Sequence, residues 1–168
     1  MLYPLETDER FEVWQGKYIV MEPGSTDHEG IVMNLGGIVR DHVRRNKLGR
    51  VYGSNTAVYL HGDVTIKNFR SPDLTFVSTD RLDIVQTKGI YGAPDLVIEI
   101  TSPGKKNLTR DTVEKFANYE EYGVQEYWIV NPFVEALEIY SLQNGKYVRV
   151  DASVVLPGIE LSLDEVFE

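Results

Sequence analysis

Two kinds of hydrophobic spacing divide the first third of the chain into a hairpin and a helix. From residue 10 to residue 21, apolar and polar side chains alternate around Gln15-Gly16, which predicts two strands joined by a tight turn. Across residues 27–46 the apolar positions follow the three- and four-residue spacing of an amphipathic helix, with an N-cap among residues 25–27. The chain therefore begins with a β-hairpin followed by one long helix.

Short β-rich segments follow the predicted helix. Residues 51–60, 64–69 and 73–78 are rich in β-branched and aromatic side chains, and turn-forming residues separate them. We expect all three to be strands of one sheet. The polar stretch 79–93 predicts no firm element.

The second half of the chain alternates between strand and helix periods. The run 95–101 predicts a strand, residues 109–122 a helix and residues 125–130 another strand. This succession implies a right-handed crossover between parallel strands. Residues 135–142 and 146–150 predict an antiparallel hairpin, and residues 163–167 predict a final helical turn.

The composition is that of an ordinary globular domain. The chain has 168 residues, of which 42% are hydrophobic and 26% charged, and this length suits one compact core. We therefore predict one domain over residues 1–168. Its class is α/β or α+β, with a mixed β-sheet core flanked by helices, an N-terminal hairpin and a C-terminal hairpin.

Charge and cysteine content narrow the range of functions. The 17 basic and 26 acidic side chains give a net charge of −9, so the chain as a whole does not attract a polyanion. The absence of cysteine excludes disulfides and thiolate metal sites, which leaves oxygen or imidazole as metal ligands. No apolar run is long enough to span a membrane, and the first residues lack the features of a signal peptide, which favours the cytoplasm.

Two carboxylates interrupt the apolar pattern of the predicted central strands. Glu99 lies inside the apolar run 95–101, on the face opposite its isoleucines. Because four residues of a strand cover about 13 Å, Asp95 cannot easily share one ion with Glu99. Asp73, at the start of a neighbouring β-rich segment, is the better partner, and two such carboxylates suit Mg²⁺. An edge strand with an exposed glutamate and a turn aspartate explains the same residues, so the sequence leaves both interpretations open.

Longer stretches of the chain resemble a known family. The succession FRSPDLTFVS, PDLVIEITSP, a helix with Lys115 and Tyr119, and GVQEYWIVNP resembles the restriction endonuclease domain of the Uma type, a branch of the PD-(D/E)XK nuclease superfamily. The N-terminal RFEVWQGKYIVMEPGSTDHEGIVMNL and the closing VVLPGIELSLDEVF are similar to that family too. The resemblance implies a restriction-endonuclease-like fold and a metal-dependent endonuclease that hydrolyses phosphodiester bonds in DNA.

The resemblance also implies a set of site residues. Asp73 matches the first acidic position and Glu99 the second, and the backbone carbonyl of Ile100 adds a ligand for Mg²⁺ or Mn²⁺. The superfamily pattern has a lysine two residues after the second acid, where this chain has Thr101. Lys115 on the following helix is the expected substitute, and its ammonium would orient the attacking water and stabilise charge on the phosphate.

Two further residues are assigned through the resemblance, and each of them has an alternative role, as Lys115 does. Glu12 and His28 match positions that the resemblance places at the rim of the cleft, and Glu12 is included among the catalytic candidates. Solvent exposure explains Glu12 equally well, and a position in the first turn of a helix explains His28. An ion pair with Asp111, four residues earlier on the helix, is the alternative role for Lys115.

The expected partners are DNA and a second copy of the chain. A homodimer would let two clefts address both strands of a duplex. Phosphate binding requires basic side chains near the cleft. The candidates, whose alternative role is a solvated surface, are Arg40, Arg44, Arg45, Lys47 and Arg50, together with Lys105, Lys106 and Arg110.

Two other functions remain open at this point. A nuclease fold can persist as a non-catalytic nucleic-acid-binding or assembly module, in which the position of Lys115 would not matter. Facing carboxylates also serve in glycoside hydrolysis, which places them about 5–9 Å apart in a cleft with aromatic side chains. The 10 tyrosines supply aromatic rings but do not cluster in the sequence.

Overall fold

The computed structural model describes residues 10–65, 67–102 and 110–168, without the side chains of residues 110 and 111. The described strands are β1 (Phe11–Trp14), β2 (Lys17–Val20), β3 (Gly49–Tyr52), β4 (Val58–Tyr59), β5 (Leu74–Ser78), β6 (Val85–Gln86), β7 (Gly89–Tyr91), β8 (Leu96–Ile100), β9 (Glu126–Asn131), β10 (Ala136–Gln143) and β11 (Lys146–Val150). The α-helices are α1 (Thr26–Arg45), α2 (Lys115–Glu121) and α3 (Leu163–Phe167). A 3₁₀ helix covers Thr79–Ile84, and a π-helical turn covers Arg110–Glu114.

A six-stranded mixed sheet forms the centre of the fold. Its strand order is β11-β10-β9-β8-β5-β3. Strands β8 and β9 run parallel, and the other neighbours run antiparallel. Two predictions are confirmed: the two parallel strands that are connected by a helix, and the antiparallel C-terminal hairpin. The mixed sheet flanked by helices also confirms the predicted fold class.

Alternation along β8 divides the core into two layers. Leu96, Ile98 and Ile100 pack in one cluster with the buried face of α1, whereas Val97 packs in a second cluster with Tyr119 of α2. Every residue of β8 is buried, so a charged side chain on this strand must find its partners inside the protein. Glu99 is that residue.

The start of α1 is set by its cap. Ser25 Oγ accepts a hydrogen bond from the backbone N–H of His28 at 3.1 Å, as an N-cap serine does. Asp27 and Glu29 lie in the first turn and Arg44 and Arg45 in the last, which matches the helix dipole at both ends. This cap places His28 at the C-terminal end of β8, beside the beginning of β5.

The structure corrects the prediction for residues 51–60 and 64–69. The first segment is two strands rather than one: β3 joins the central sheet, and β4 joins a three-stranded sheet of order β4-β7-β6. In the second segment the described residues form no strand, and Phe69 makes only an isolated bridge to Val13. The Asp63 side chain accepts a hydrogen bond from the backbone N–H of Thr65 at 2.9 Å, and this Asx turn competes with an extended strand.

Two other segments also differ from the prediction. The stretch 79–93 holds the 3₁₀ helix, β6 and β7, whose short length gave no periodic signal. The described part of the predicted helix 109–122 begins with the π-helical turn, and α2 starts at Lys115. Residue 109 lies outside the described residues. Across the described residues, no helix is long and apolar enough to cross a membrane.

Candidate active site

The end of β8 and the beginning of β5 bring two carboxylates to the same level. Leu74 of β5 pairs with Ile98 of β8 in antiparallel register, so Asp73, one residue before Leu74, stands beside Glu99. Asp73 Oδ2 accepts a hydrogen bond from the backbone N–H of Ile100 at 2.7 Å. The structure therefore brings the two predicted acidic residues together on adjacent strands.

An open pocket of about 440 Å³ gives access to these groups. Asp73, Glu99, Ile100, His28 and Lys115 all contribute to its lining. This volume is within the usual range for small-molecule and substrate sites, roughly 300–1,000 Å³. The predicted metal ligands and the predicted lysine thus share one solvent-accessible cavity.

His28 lies at the centre of this cluster. Its Nε2 is 3.2 Å from the carbonyl oxygen of Ile100 and 3.4 Å from Asp73 Oδ2, and its Nδ1 is 3.1 Å from Glu29 Oε1. The hydrogen bond to Asp73 raises the pKa of His28 to about 9, although burial opposes the shift. The shift favours the protonated form of the imidazole, whose Nε2 faces both Asp73 and the Ile100 carbonyl.

Lys115 is buried rather than exposed on its helix. Its side chain is 1% exposed, and Nζ donates to Glu99 Oε1 at 2.9 Å. Tyr119, one helical turn later, donates its hydroxyl to the same oxygen at 2.8 Å. Burial, followed by the charge of Glu99, raises the pKa of Tyr119 well above its usual value, so the hydroxyl remains a donor. The alternative of an exposed lysine is excluded, and the side chain of Asp111 lies outside the described part of the chain.

Glu12 is a buried residue behind Lys115 and not a rim residue. Its Oε1 accepts a hydrogen bond from the backbone N–H of Ser71 at 2.9 Å and lies 3.6 Å from Lys115 Nζ. Its Oε2 accepts a hydrogen bond from Arg70 Nη1 at 3.2 Å. Glu12 is not among the described residues that line the pocket. It contacts Lys115, which does line the pocket.

Two participants in this cluster were not predicted from the sequence. The role of Tyr119 is not predictable, because an aromatic side chain at helical spacing gives no indication of what its hydroxyl contacts. The burial of Arg70 is not predictable either, since arginine is rarely buried and no periodic pattern includes its position. Its only sequence signal is proximity to Asp73, three residues later.

The oxygen donors fit a small divalent cation. Asp73, Glu99 and the Ile100 carbonyl offer hard ligands, and Mg²⁺ commonly binds through one or two carboxylates while it retains several waters. The described residues contain no group of three or more His, Asp or Glu side chains placed to hold an ion. An ion here would therefore depend on the carbonyl and on water for the rest of its coordination.

Arg44 and Arg45, two of the predicted basic residues, lie away from the pocket. His28 is in the first turn of α1, and Arg44 and Arg45 are in its last turn. With a rise of 1.5 Å per residue, they stand about 24 Å from His28 along the helix axis. The side chains of Lys105, Lys106 and Arg110 fall outside the described residues.

Comparisons with known proteins identify the class of the fold and then the family. A solved structure described as "a putative nuclease belonging to DUF820 from Anabaena variabilis ATCC 29413" shares the fold, with a TM-score of 0.73 and 18% sequence identity over 96% of this chain and 92% of that chain. The molecule thus has a nuclease-like fold. The family model "Uma2: Putative restriction endonuclease" matches residues 1–168, and the chain belongs to that family. This confirms the resemblance found in the sequence. A comparison with curated proteins gives no match.

Proposed function

We propose that this protein is a Mg²⁺- or Mn²⁺-dependent endonuclease that hydrolyses phosphodiester bonds in DNA. One observation carries the proposal: Asp73 and Glu99 stand level on adjacent strands of a shared pocket, with the Lys115 ammonium 2.9 Å from Glu99 Oε1. Family membership and the shared nuclease fold support the same class of reaction.

In the proposed reaction the residues of the pocket have different roles. Asp73, Glu99 and the Ile100 carbonyl would hold the cation, which supplies Lewis-acid polarisation of the phosphodiester and a more acidic water. Lys115 would direct its ammonium at the phosphate and the attacking water, where a preorganised donor stabilises developing negative charge. Because the Tyr119 hydroxyl and the Lys115 ammonium both donate to Glu99 Oε1, the geometry of that carboxylate is fixed before substrate arrives.

His28 would hold the ligand positions in place. It is within hydrogen-bonding distance of the Ile100 carbonyl and close to Asp73, and its own orientation is set by the Ser25 cap and by Glu29.

DNA as substrate, a homodimer and a cytoplasmic location are further parts of this proposal. The net charge of −9 means that DNA binding must rely on local cations. Two copies of the pocket in a dimer would address the two strands of a duplex, and sedimentation velocity measures that oligomeric state directly. The sugar-cleaving alternative loses support, because the described residues of the pocket lining include no Phe, Tyr or Trp.

A plasmid-nicking assay tests the proposal. Wild type should nick supercoiled plasmid with Mg²⁺ or Mn²⁺ and lose that activity in EDTA, whereas Asp73→Asn and Glu99→Gln should be inactive. The matched control is Asp80→Asn, which removes an exposed carboxylate outside the pocket. Mg²⁺ should also raise the melting temperature of wild type in proportion to the logarithm of its concentration, and should not do so for Asp73→Asn.

Two results would count against it. Nicking by Asp73→Asn at the wild-type rate would show that this carboxylate does not serve the reaction. If no nucleic acid is cut under any metal condition, the non-catalytic binding module becomes the better description.

A further inference from the structure

Arg70 is a fully buried arginine with no direct part in the proposed reaction. Its side chain is 0% exposed, although a guanidinium keeps its charge in proteins. Its Nη1 donates to Glu12, its Nη2 donates to Asn118 Oδ1, and its guanidinium carbon lies 4.5 Å from the Trp14 ring centroid. Its Nε is buried without a hydrogen-bond partner among the described residues. An apolar side chain would fill this space without that cost, so the charge itself requires an explanation.

The partners of Arg70 connect it to the pocket. Glu12 lies between two cations, with Oε2 at 3.2 Å from Arg70 Nη1 and Oε1 at 3.6 Å from Lys115 Nζ. Lys115 Nζ is closer to Glu99 Oε1, at 2.9 Å. The buried charges therefore alternate in sign from Arg70 through Glu12 and Lys115 to Glu99, and only the last two line the pocket.

This order of charges determines where the lysine ammonium lies. Arg70 compensates the charge of Glu12, so Glu12 attracts Lys115 less strongly than Glu99 does. Removal of the guanidinium leaves Glu12 with one fewer positive neighbour in a medium of low dielectric, where such attractions are strong. The Lys115 ammonium would then shift from Glu99 toward Glu12 and away from the pocket.

A second contact acts on the helix that carries the lysine. Arg70 Nη2 donates to Asn118, which is three residues after Lys115 on the same helix. Residues three apart lie on one face of a helix, so this bond fixes the face that α2 presents to Glu99. Arg70 thus constrains Lys115 both through Glu12 and through the helix.

We propose that Arg70 is a positioning residue that holds the Lys115 ammonium against Glu99 at the pocket, mainly through Glu12. The inference about geometry stands on the contacts above, and its kinetic consequence rests on the proposed nuclease function. Since a misplacement of 1 Å can cost on the order of 100-fold in rate, Arg70→Met should lower kcat by about 10- to 100-fold. KM should change little, because Arg70 does not line the pocket.

The primary test is spectroscopic and needs no activity. In metal-free protein labelled with ¹⁵N-lysine, the ammonium resonance of Lys115 is assigned by its absence from Lys115→Arg. Arg70→Met should shift this resonance, and Arg70→Lys, which keeps a positive charge, should return it toward the wild-type position. The matched control is Arg81→Met, which removes an arginine paired with Asp95 at 3.2 Å outside the pocket and should leave the resonance and kcat unchanged.

The Glu12→Gln background separates positioning from packing. If Arg70 acts through the charge of Glu12, Glu12→Gln and Glu12→Gln/Arg70→Met should give nearly the same Lys115 resonance and the same kcat. An unchanged resonance in Arg70→Met, or an equal shift with and without the Glu12 carboxylate, would overturn the proposal. If Arg70→Met alone does not fold, Arg70→Gln, which keeps a hydrogen-bond donor but removes the charge, replaces it in both comparisons.

The two proposals fail in different ways. If the resonance moves as expected and no variant or wild-type protein cuts DNA, the nuclease function fails and the positioning role stands. If wild type cuts DNA and Arg70→Met cuts equally well with an unshifted resonance, the positioning role fails and the nuclease function stands.

Discussion

Replacement of Lys115 by methionine tests whether the central ion pair is as deeply buried as the structure shows. Methionine keeps much of the apolar length of lysine and removes the charge. Lys115 Nζ is 2.9 Å from Glu99 Oε1, and both side chains are almost completely excluded from solvent. The variant therefore leaves the Glu99 carboxylate buried with the Tyr119 hydroxyl as a neutral donor.

The expected loss of stability in Lys115→Met follows from the distance between Lys115 Nζ and Glu99 Oε1 and from the burial of both side chains. At an effective dielectric constant of 20, two unit charges at this separation attract with about 6 kcal/mol. Loss of the ammonium also removes the cost of its own desolvation, so the net effect is smaller, and loss of one member of a buried pair typically costs about 3–5 kcal/mol. For a chain of this length we expect the melting temperature to fall by about 6–20 °C.

Urea unfolding in EDTA, followed by circular dichroism, measures this effect. Glu99→Gln/Lys115→Met should be clearly more stable than the sum of its two single variants predicts, by about 1–3 kcal/mol, because the double variant contains no unpaired charge. The matched control is Lys146→Met: that lysine pairs with Glu120 at a similar 3.1 Å but is 79% exposed. Its loss should be below about 1 kcal/mol.

Two outcomes would refute the reasoning. A loss of less than about 1 kcal/mol in Lys115→Met would place the pair in water rather than in the core. Strict additivity of the Glu99 and Lys115 substitutions would show that the two groups do not interact.

Three further predictions concern other parts of the molecule. The buried Glu126 carboxylate accepts hydrogen bonds from an indole, a hydroxyl and two backbone amides. Glu126→Gln should therefore lower the free energy of unfolding in urea by about 1–3 kcal/mol. An unchanged urea midpoint would contradict this. Gly49→Ala should destabilise far more than Gly16→Ala in thermal melting, because both glycines have positive φ but only at Gly49 would a Cβ lie 2.1 Å from a carbonyl oxygen. If the far end of α1 contacts DNA, Arg44→Glu/Arg45→Glu should weaken binding to all sequences alike and flatten its salt dependence, whereas unaltered binding across a salt series would remove this surface from the interface.

The spacing of apolar residues was sufficient to predict the strands and the helix whose buried side chains lie on one regular face. The alternation around Gln15-Gly16 and the helical spacing of residues 27–46 correspond closely to β1, β2 and α1. The same rules failed across residues 51–69. There the apolar residues pack through isolated bridges and two separate sheets, so their spacing reflects several partners and not one continuous strand.

The candidate site was likewise predictable from the sequence only in part. Glu99 and Asp73 could be found from the sequence, because a carboxylate in an apolar strand is costly unless it has partners, and the family resemblance supplied Lys115. The sequence did not determine that Lys115 is buried and paired with Glu99, because the orientation of a helix against a sheet depends on packing from distant segments.

The roles of Arg70 and Glu12 were decided by tertiary structure alone. These residues are 58 positions apart in the chain, and no periodic pattern relates side chains at that separation. Their charges are tolerated only because the folded protein places opposite charges and donors around them. The sequence determined the strands, the main helix and the unusual acids, and the three-dimensional packing determined which charges meet.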